Sequence, residues 1–298
     1  MFIIKYRFIF LSIAALMVIA SWSAVGYFGL NLGIDFKGGA ILELAYPSAE
    51  ARPSLEEAKA MLAENDYTDV ALQPLGDDSY LLRAKKLSVS DKDTITLALS
   101  ASGTPATVKR FDSIGPSIGA ELGSKALIAI ALVLLFIIAY IAFAFRKVTR
   151  PVASWKYGLA AIIALVHDIS IPTGLFAYLG YARGTEVNAL FLTALLAILG
   201  LSVSDTIVVF DRIRENLQRR VANNFSDTVG ISLNQTFIRS LNTSLTILIA
   251  LFSVYFFGGE STKDFALALI VGMAAGTYSS LFIASPLLIL FSGEKKKV

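Results

Sequence analysis

Four ionisable residues lie inside long apolar runs of this 298-residue chain: Asp205, Arg239, His167 and Asp168. A charge at that depth is costly and by default marks function. Asp205 stands in Gly200-Leu-Ser-Val-Ser-Asp-Thr-Ile-Val-Val-Phe, shortly before a basic segment. Arg239 lies about five residues into the next apolar run, which returns the opposite way. At about 1.5 Å per helical residue both fall roughly 8–9 Å from the same boundary, so adjacent antiparallel helices would bring them level. One chemistry is a proton relay: burial favours a neutral carboxyl, a nearby guanidinium favours the anion, and helix movement switches the balance. The other is a fixed ion pair that keeps two helices in register. An arginine holds its proton throughout, so Asp205 is the only carrier available to a relay.

His167 and Asp168 sit near the middle of another run, one turn before Pro172. As helical neighbours their side chains diverge by about 100°, which predicts that they do not face each other. Hydrogen bonding to other helices is the plainer role for them. One histidine and no cysteine leave little for a metal site and exclude thiolate chemistry and disulfides, and no nucleophile motif is present, so neither an enzyme nor a cofactor is expected. Along the same run as Arg239, Gln235, Asn242, Thr243 and Thr246 fall at steps of three and four, a polar stripe that should face protein or water. The last run carries Ala268, Gly272, Gly276, Ser280 and Ala284 four apart, a small-residue stripe that lets helices approach closely.

These residues need a membrane bundle to position them. The chain is 55% hydrophobic and 16% charged with mean hydropathy +0.67, against about a quarter charged in soluble domains. Six stretches reach the roughly 20 residues needed to cross a bilayer: 8–30, 126–145, 157–180, 189–210, 236–257 and 265–291. The first, preceded by Lys5 and Arg7, is longer than a signal-peptide core and lacks a small-residue cleavage site, so it reads as a retained anchor. With both termini inside, the inner segments hold Lys5, Arg7, Arg146, Lys147, Arg150, Lys156, Arg212, Arg214, Arg219, Arg220, Lys295, Lys296 and Lys297, whereas the short outer loops hold Arg183 and Lys263. That bias orients the chain and sends the one large loop outside. A net charge of +3 gives no reason to invoke nucleic acid. Ile213, Leu217, Val221 and Phe225, spaced four apart among arginines, predict an amphipathic helix on the inner surface or a docking face.

The large loop, 31–123, reads as a separate α/β domain between the anchor (1–30) and the remaining spans (124–298). A strand from Gly39 to Tyr46 is followed by a helix opened by the capping box Ser54-Leu-Glu-Glu. A hairpin turns at Gly76-Asp77-Asp78, a second helix covers Asp91 to Ser100, and a last strand covers Ala106 to Phe111. The order βαββαβ is that of a ferredoxin-like fold. The fold class expected is thus a polytopic α-helical membrane protein, with six transmembrane helices and one extracytoplasmic ferredoxin-like domain.

Gly33-Ile34-Asp35-Phe36-Lys37-Gly38-Gly39 and Ile114-Gly115-Pro116-Ser117-Ile118-Gly119-Ala120-Glu121-Leu122 resemble the two signatures that flank this domain in the SecF family of bacterial protein export. Ala164-Leu165-Val166-His167-Asp168, the stretch from Ser202 to Asn216, and Asn234-Gln235-Thr236 with Arg239-Ser240 and Thr243-Ser244 are similar to the family's span motifs, in the same order. The resemblance implies a half-unit of the resistance-nodulation-division superfamily in the bacterial inner membrane, paired with SecD. The implied partners are the SecYEG channel, the associated YajC and YidC, emerging preproteins and the lipid bilayer. It also implies that Asp205 and Arg239 couple export to the proton-motive force, and that 33–39 and 115–121 link spans to the outer domain. Two other readings stand beside this one: half of a proton-driven small-molecule or lipid exporter of the same superfamily, and a passive assembly factor whose charges are structural.

Overall fold

The computed structural model describes residues 2–100, 104–146 and 151–293. Lys147, Arg150, Lys295, Lys296 and Lys297, counted in the charge bias, lie outside the described residues. Two compact units form, Leu32–Ala126 and Met1–Asn31 with Leu127–Val298.

The small unit begins with a one-turn helix, following α1 (Phe2–Lys5) and α2 (Arg7–Phe28) of the other unit. It runs α3 (Ile34–Lys37), β1 (Gly39–Ala45), α4 (Leu55–Glu64), β2 (Val70–Leu75), β3 (Ser79–Ala84), α5 (Val89–Ser100) and β4 (Thr107–Ile114). The sheet is antiparallel throughout with order β2-β3-β1-β4, the split arrangement of a ferredoxin-like fold. Alternation decides which face is buried. Ala40, Leu42 and Leu44 of β1 and Tyr80 and Leu82 of β3 meet Ala58 and Leu62 of α4 and Ile95 and Leu99 of α5 in one core. Both helices start on reciprocal caps. The Ser54 hydroxyl accepts from the Glu57 amide while Glu57 accepts from the Ser54 amide; Ser88 and Asp91 repeat the exchange at α5.

The two glycine-rich signatures meet inside this unit. Gly33 caps α3 in an extended conformation, and Asp35 lies in its first turn. Gly38 and Gly39 then take φ of +74° and +136°, a region that disfavours any side chain. Gly39 pairs with Ile114 across β1 and β4, so the chain entering the sheet runs beside the chain leaving it through Gly115 and Pro116. A Cβ on Gly38 would lie 2.6 Å from the Pro116 Cα, and one on Gly119 would lie 2.6 Å from the Gly38 nitrogen. Backbone touches backbone here, so neither contact can relax by a rotamer change.

The second unit holds the long helices. After α6 (Pro116–Ala144) come α7 (Ser154–Arg183), α8 (Ala189–Gln218), α9 (Phe225–Phe257), α10 (Glu260–Ser279), a π-helical turn (Ser280–Ala284) and α11 (Ser285–Ser292). Among the described residues six helices are long and apolar enough to cross a membrane, the sixth running through α10, the π-turn and α11. The third and sixth of these are the most buried, and the windows of α2, α6 and α9 are largely exposed. Apolar helix faces of that extent have no place in water, whereas hydrocarbon accepts them. Small residues set the close approaches: a Cβ on Gly174 of α7 would collide with Ser21 of α2 at 2.4 Å. At one end Phe145 stacks on Tyr157 at 5.1 Å, and Phe210 meets both edge-on.

One expectation is corrected. Among the described residues no separate amphipathic helix follows the fourth span; α8 continues to Gln218 and α9 starts at Phe225. Ile213 and Phe225 are buried in the bundle core, so these two mark inward faces of two helix ends rather than a surface-lying helix, whereas Val221 between them is exposed.

Gly119→Val should cost about 1–3 kcal/mol, the usual range for overpacking, and lower the melting point of the purified chain, whereas Gly115→Ala, which meets open space, should not. The Glu57 and Asp91 carboxyls are held below their ordinary values chiefly by hydrogen bonds from Ser54 and Ser88. Depressed carboxylates contribute stability that is present above their unfolded values and lost as pH falls through the folded ones. Amide exchange in α4 and α5 should therefore accelerate in that acid range, and Ser54→Ala should flatten the dependence for α4 alone.

Candidate functional site

Asp205 projects from α8 and is half-buried. Ser240 of α9 donates to its Oδ1 and Ser280, the first residue of the π-turn, donates to its Oδ2, both at 2.6 Å. The antiparallel helices do bring the level of Arg239 to Asp205, since Ser240 is the next residue along. One residue is about 100° of rotation, however, and that turn sends Arg239 outward, where it is exposed. Among the described residues Asp205 makes no ion pair with Arg239; neutral hydroxyls occupy both carboxylate oxygens. A fixed ion pair between these two helices is thus not what the structure contains.

The polar stripe around Arg239 shares its outward direction. Gln235, Asn242, Thr243 and Thr246 are all exposed, so the stripe is on the outside of this chain rather than in its own interior. The interior face of α9 instead carries Ser232, Thr236, Ser240 and Ser244. Gln235 accepts from Asn216 of α8 at 2.9 Å, and Asn216 also donates to Ser232 at 2.8 Å. Thr277 of α10 donates to Ser244 at 2.7 Å.

A second carboxylate lies deeper. Asp168 of α7 is fully buried and His167 is 2% exposed. Contrary to the expected divergence, His167 Nδ1 lies 3.0 Å from Asp168 Oδ1. Asp168 Oδ2 accepts from Ser202 of α8 at 2.5 Å and from Ser279 at the end of α10 at 2.8 Å. Tyr278 stacks on the imidazole with centroids 5.9 Å apart and donates to the Phe10 carbonyl. Beside the pair, Trp22 of α2 donates to Ser170 at 3.1 Å.

Glycines admit these contacts. A Cβ on Gly272 would run into Ile198 of α8 at 2.1 Å, and one on Gly276 would sit 3.1 Å from Ser202 and 3.7 Å from Asp168 Oδ2. Ser280, four residues on in the same stripe, is a hydrogen-bond donor as well as a small residue. Ser202, Ser240 and Ser279 as carboxylate donors were not anticipated from sequence. The available signal was that a carboxylate in an apolar helix must find donors, and serines were the commonest ones in reach. Among the described residues no three His, Asp or Glu side chains gather as a metal site.

The helices and their buried acids define a multi-pass membrane protein with a polar core, and its relatives narrow the class to protein export. The family model described as protein export membrane protein SecD/SecF, C-terminal, matches residues 94–294, and the SecD/SecF GG motif matches 28–46. The protein translocase subunit SecF of Thermobaculum terrenum is 41% identical over 99% of this chain and 94% of its own length. That of Pseudomonas aeruginosa is 34% identical over 93% and 86%. The crystal structure of SecDF, a translocon-associated membrane protein from Thermus thermophilus, superposes with TM-score 0.81 at 31% identity. It covers 98% of this chain, which spans 38% of that one. A SecDF structure in a super-membrane-facing form gives 0.66 at 32% identity. The chain belongs to the SecF family.

Asp168→Ala would leave Ser202, Ser279 and His167 without their shared acceptor. Leaving a buried polar group without its partner costs about 1–3 kcal/mol, so the purified chain should unfold at a lower temperature. Asp205→Asn keeps an acceptor oxygen for a serine and should unfold close to the parent. Equal losses in the two variants would contradict the geometry above.

Proposed function

We propose that this chain is an accessory subunit of the Sec preprotein translocase that acts with SecD and draws on the proton-motive force through Asp205. The observation that carries the reading is the donor set of Asp205: two hydroxyls and, among the described residues, no cation. A hydroxyl can donate to a carboxylate or turn and accept from a carboxylic acid, so the site suits both protonation states. The family membership and the names of the relatives favour preprotein translocation over small-molecule or lipid export.

The outward stripe of Arg239, Asn242, Thr243 and Thr246 fits the same reading. Such residues do not face lipid, so a second set of helices should cover α9 there, and the SecDF structures contain well over this chain's length of further polypeptide. SecD is the natural cover, and one of its acids would then meet Arg239. SecYEG with YajC and YidC would complete the assembly. The bias of basic residues toward one set of segment ends in the sequence supports cytoplasmic termini, with the small unit outside the inner membrane, where preproteins would emerge. The segments 33–39 and 115–121 would pass span motion to that unit.

Cells whose only copy carries Asp205→Asn should accumulate unprocessed preproteins despite normal membrane levels and normal co-purification with SecD. Arg239→Met should do the same and in addition weaken co-purification. Full export by Asp205→Asn at normal levels would refute the relay.

A further inference from the structure

We infer that Asp168 with His167 forms a second protonation site, and that it is linked to Asp205 through the adjacent hydroxyls of Ser279 and Ser280 where span six becomes π-helical. The inference deepens the proton-coupling reading of Asp205 and rests on it for its functional meaning, though not for its test.

Span six touches both acids with two consecutive residues. Ser279 donates to Asp168 on α7 and Ser280 donates to Asp205 on α8. Neighbouring helical residues differ by about 100°, which is why one turn can serve two helices. Each serine also has a second acceptor within reach, the carbonyl three residues back: Gly276 at 3.1 Å for Ser279 and Thr277 at 3.2 Å for Ser280. When a proton arrives on either carboxyl, the serine can turn its own proton to that carbonyl and accept from the new acid. Both states are then fully hydrogen-bonded, which matters because an unmet polar group in this interior is expensive. The π-turn begins at Ser280, and single π-turns within α-helices are frequent at functional sites. A change of pitch there rotates both hydroxyls together, so the two acids cannot readily be rearranged independently.

His167 lets the deeper site hold its proton in either of two places, on the carboxyl or on the imidazole. Its Nε2 is buried and, among the described residues, has no hydrogen-bond partner. α10 brings Tyr278 against the imidazole and Ser279 against the carboxylate, α8 brings Ser202, and α2 brings Trp22 to the neighbouring Ser170. Asp205 is the acid held by the next residue of span six, Ser280. Among the described residues no lysine or arginine pairs with Asp168 or His167.

The sequence contains one histidine, so ¹⁵N-histidine labelling of the full chain gives a spectrum of His167 alone. The chain, purified by a histidine-free tag and placed in phosphatidylethanolamine–phosphatidylglycerol vesicles, would be followed by solid-state NMR between about pH 5 and 9, the range open to histidine. The Nδ1 resonance should change across that range, since it senses the shared proton in either place. Asp205→Asn should displace the midpoint by about one pH unit, the coupling at which two sites titrate as a pair. In a Ser279→Ala background the same substitution should displace it far less. A flat His167 spectrum, or a midpoint indifferent to Asp205→Asn, overturns the inference. Because the readout is a resonance and not export, a failed relay at Asp205 and a failed link to Asp168 give different results.

Discussion

A carboxylate placed in hydrocarbon must find its donors within the protein, and the arrangement of the helical unit follows from that requirement. Asp168 and Asp205 bind four serine hydroxyls drawn from α8, α9 and the junction of α10 with the π-turn. Those contacts tie α7 to α8 and span six, and α8 to α9 and span six. The hydrophobic effect cannot drive such association where lipid tails are as apolar as leucine. Polar contacts and close small-residue packing must supply the specificity. Gly272 and Gly276 are part of the same device, because a side chain at Gly272 would collide with Ile198 of α8 and one at Gly276 would crowd Ser202, a donor to Asp168.

The small unit is governed by a different constraint. In water it can use an ordinary core, and the sheet alternation with two capped helices provides one. Its special feature is the backbone crossing of Gly38 with Pro116 and Gly119. Positive φ and sub-3 Å Cβ clearances make glycine the residue that fits. Two segments far apart in sequence are thereby locked as one short splice just where the chain passes between the two units.

Most of this was legible in the residues. Six apolar runs gave six helices, and the βαββαβ order with its hairpin at Gly76 gave the sheet, because hydrophobic period and turn chemistry are local signals. The level of Asp205 with the Arg239 turn also followed from counting residues. What could not be counted was rotation. Whether Arg239 or Ser240 faces α8 depends on the packing of three helices at once, and a single residue's step reverses the answer. The same limit hid the His167–Asp168 contact, since side-chain torsions rather than backbone directions close it. The π-turn was invisible for a related reason: it inserts no recognisable residue, only an altered hydrogen-bond pattern between Ser280 and Ala284.

Neutral donors also fit the energies that the proposed proton coupling would have available. A proton crossing the full membrane potential delivers about 2.3 kcal/mol per 100 mV. A hydrogen bond to a charged group is worth about 1.5–3 kcal/mol, so one proton can remake one or two of the serine contacts around Asp205. Breaking a buried ion pair costs about 3–5 kcal/mol, more than the field supplies per charge. An Asp205 clamped by its own chain's arginine would hold the bundle in one state. On the proposed relay, with Arg239 turned outward and serines in its place, the carboxylate would be discharged and recharged within the work one proton provides. The cation is left free to interact with whatever covers α9.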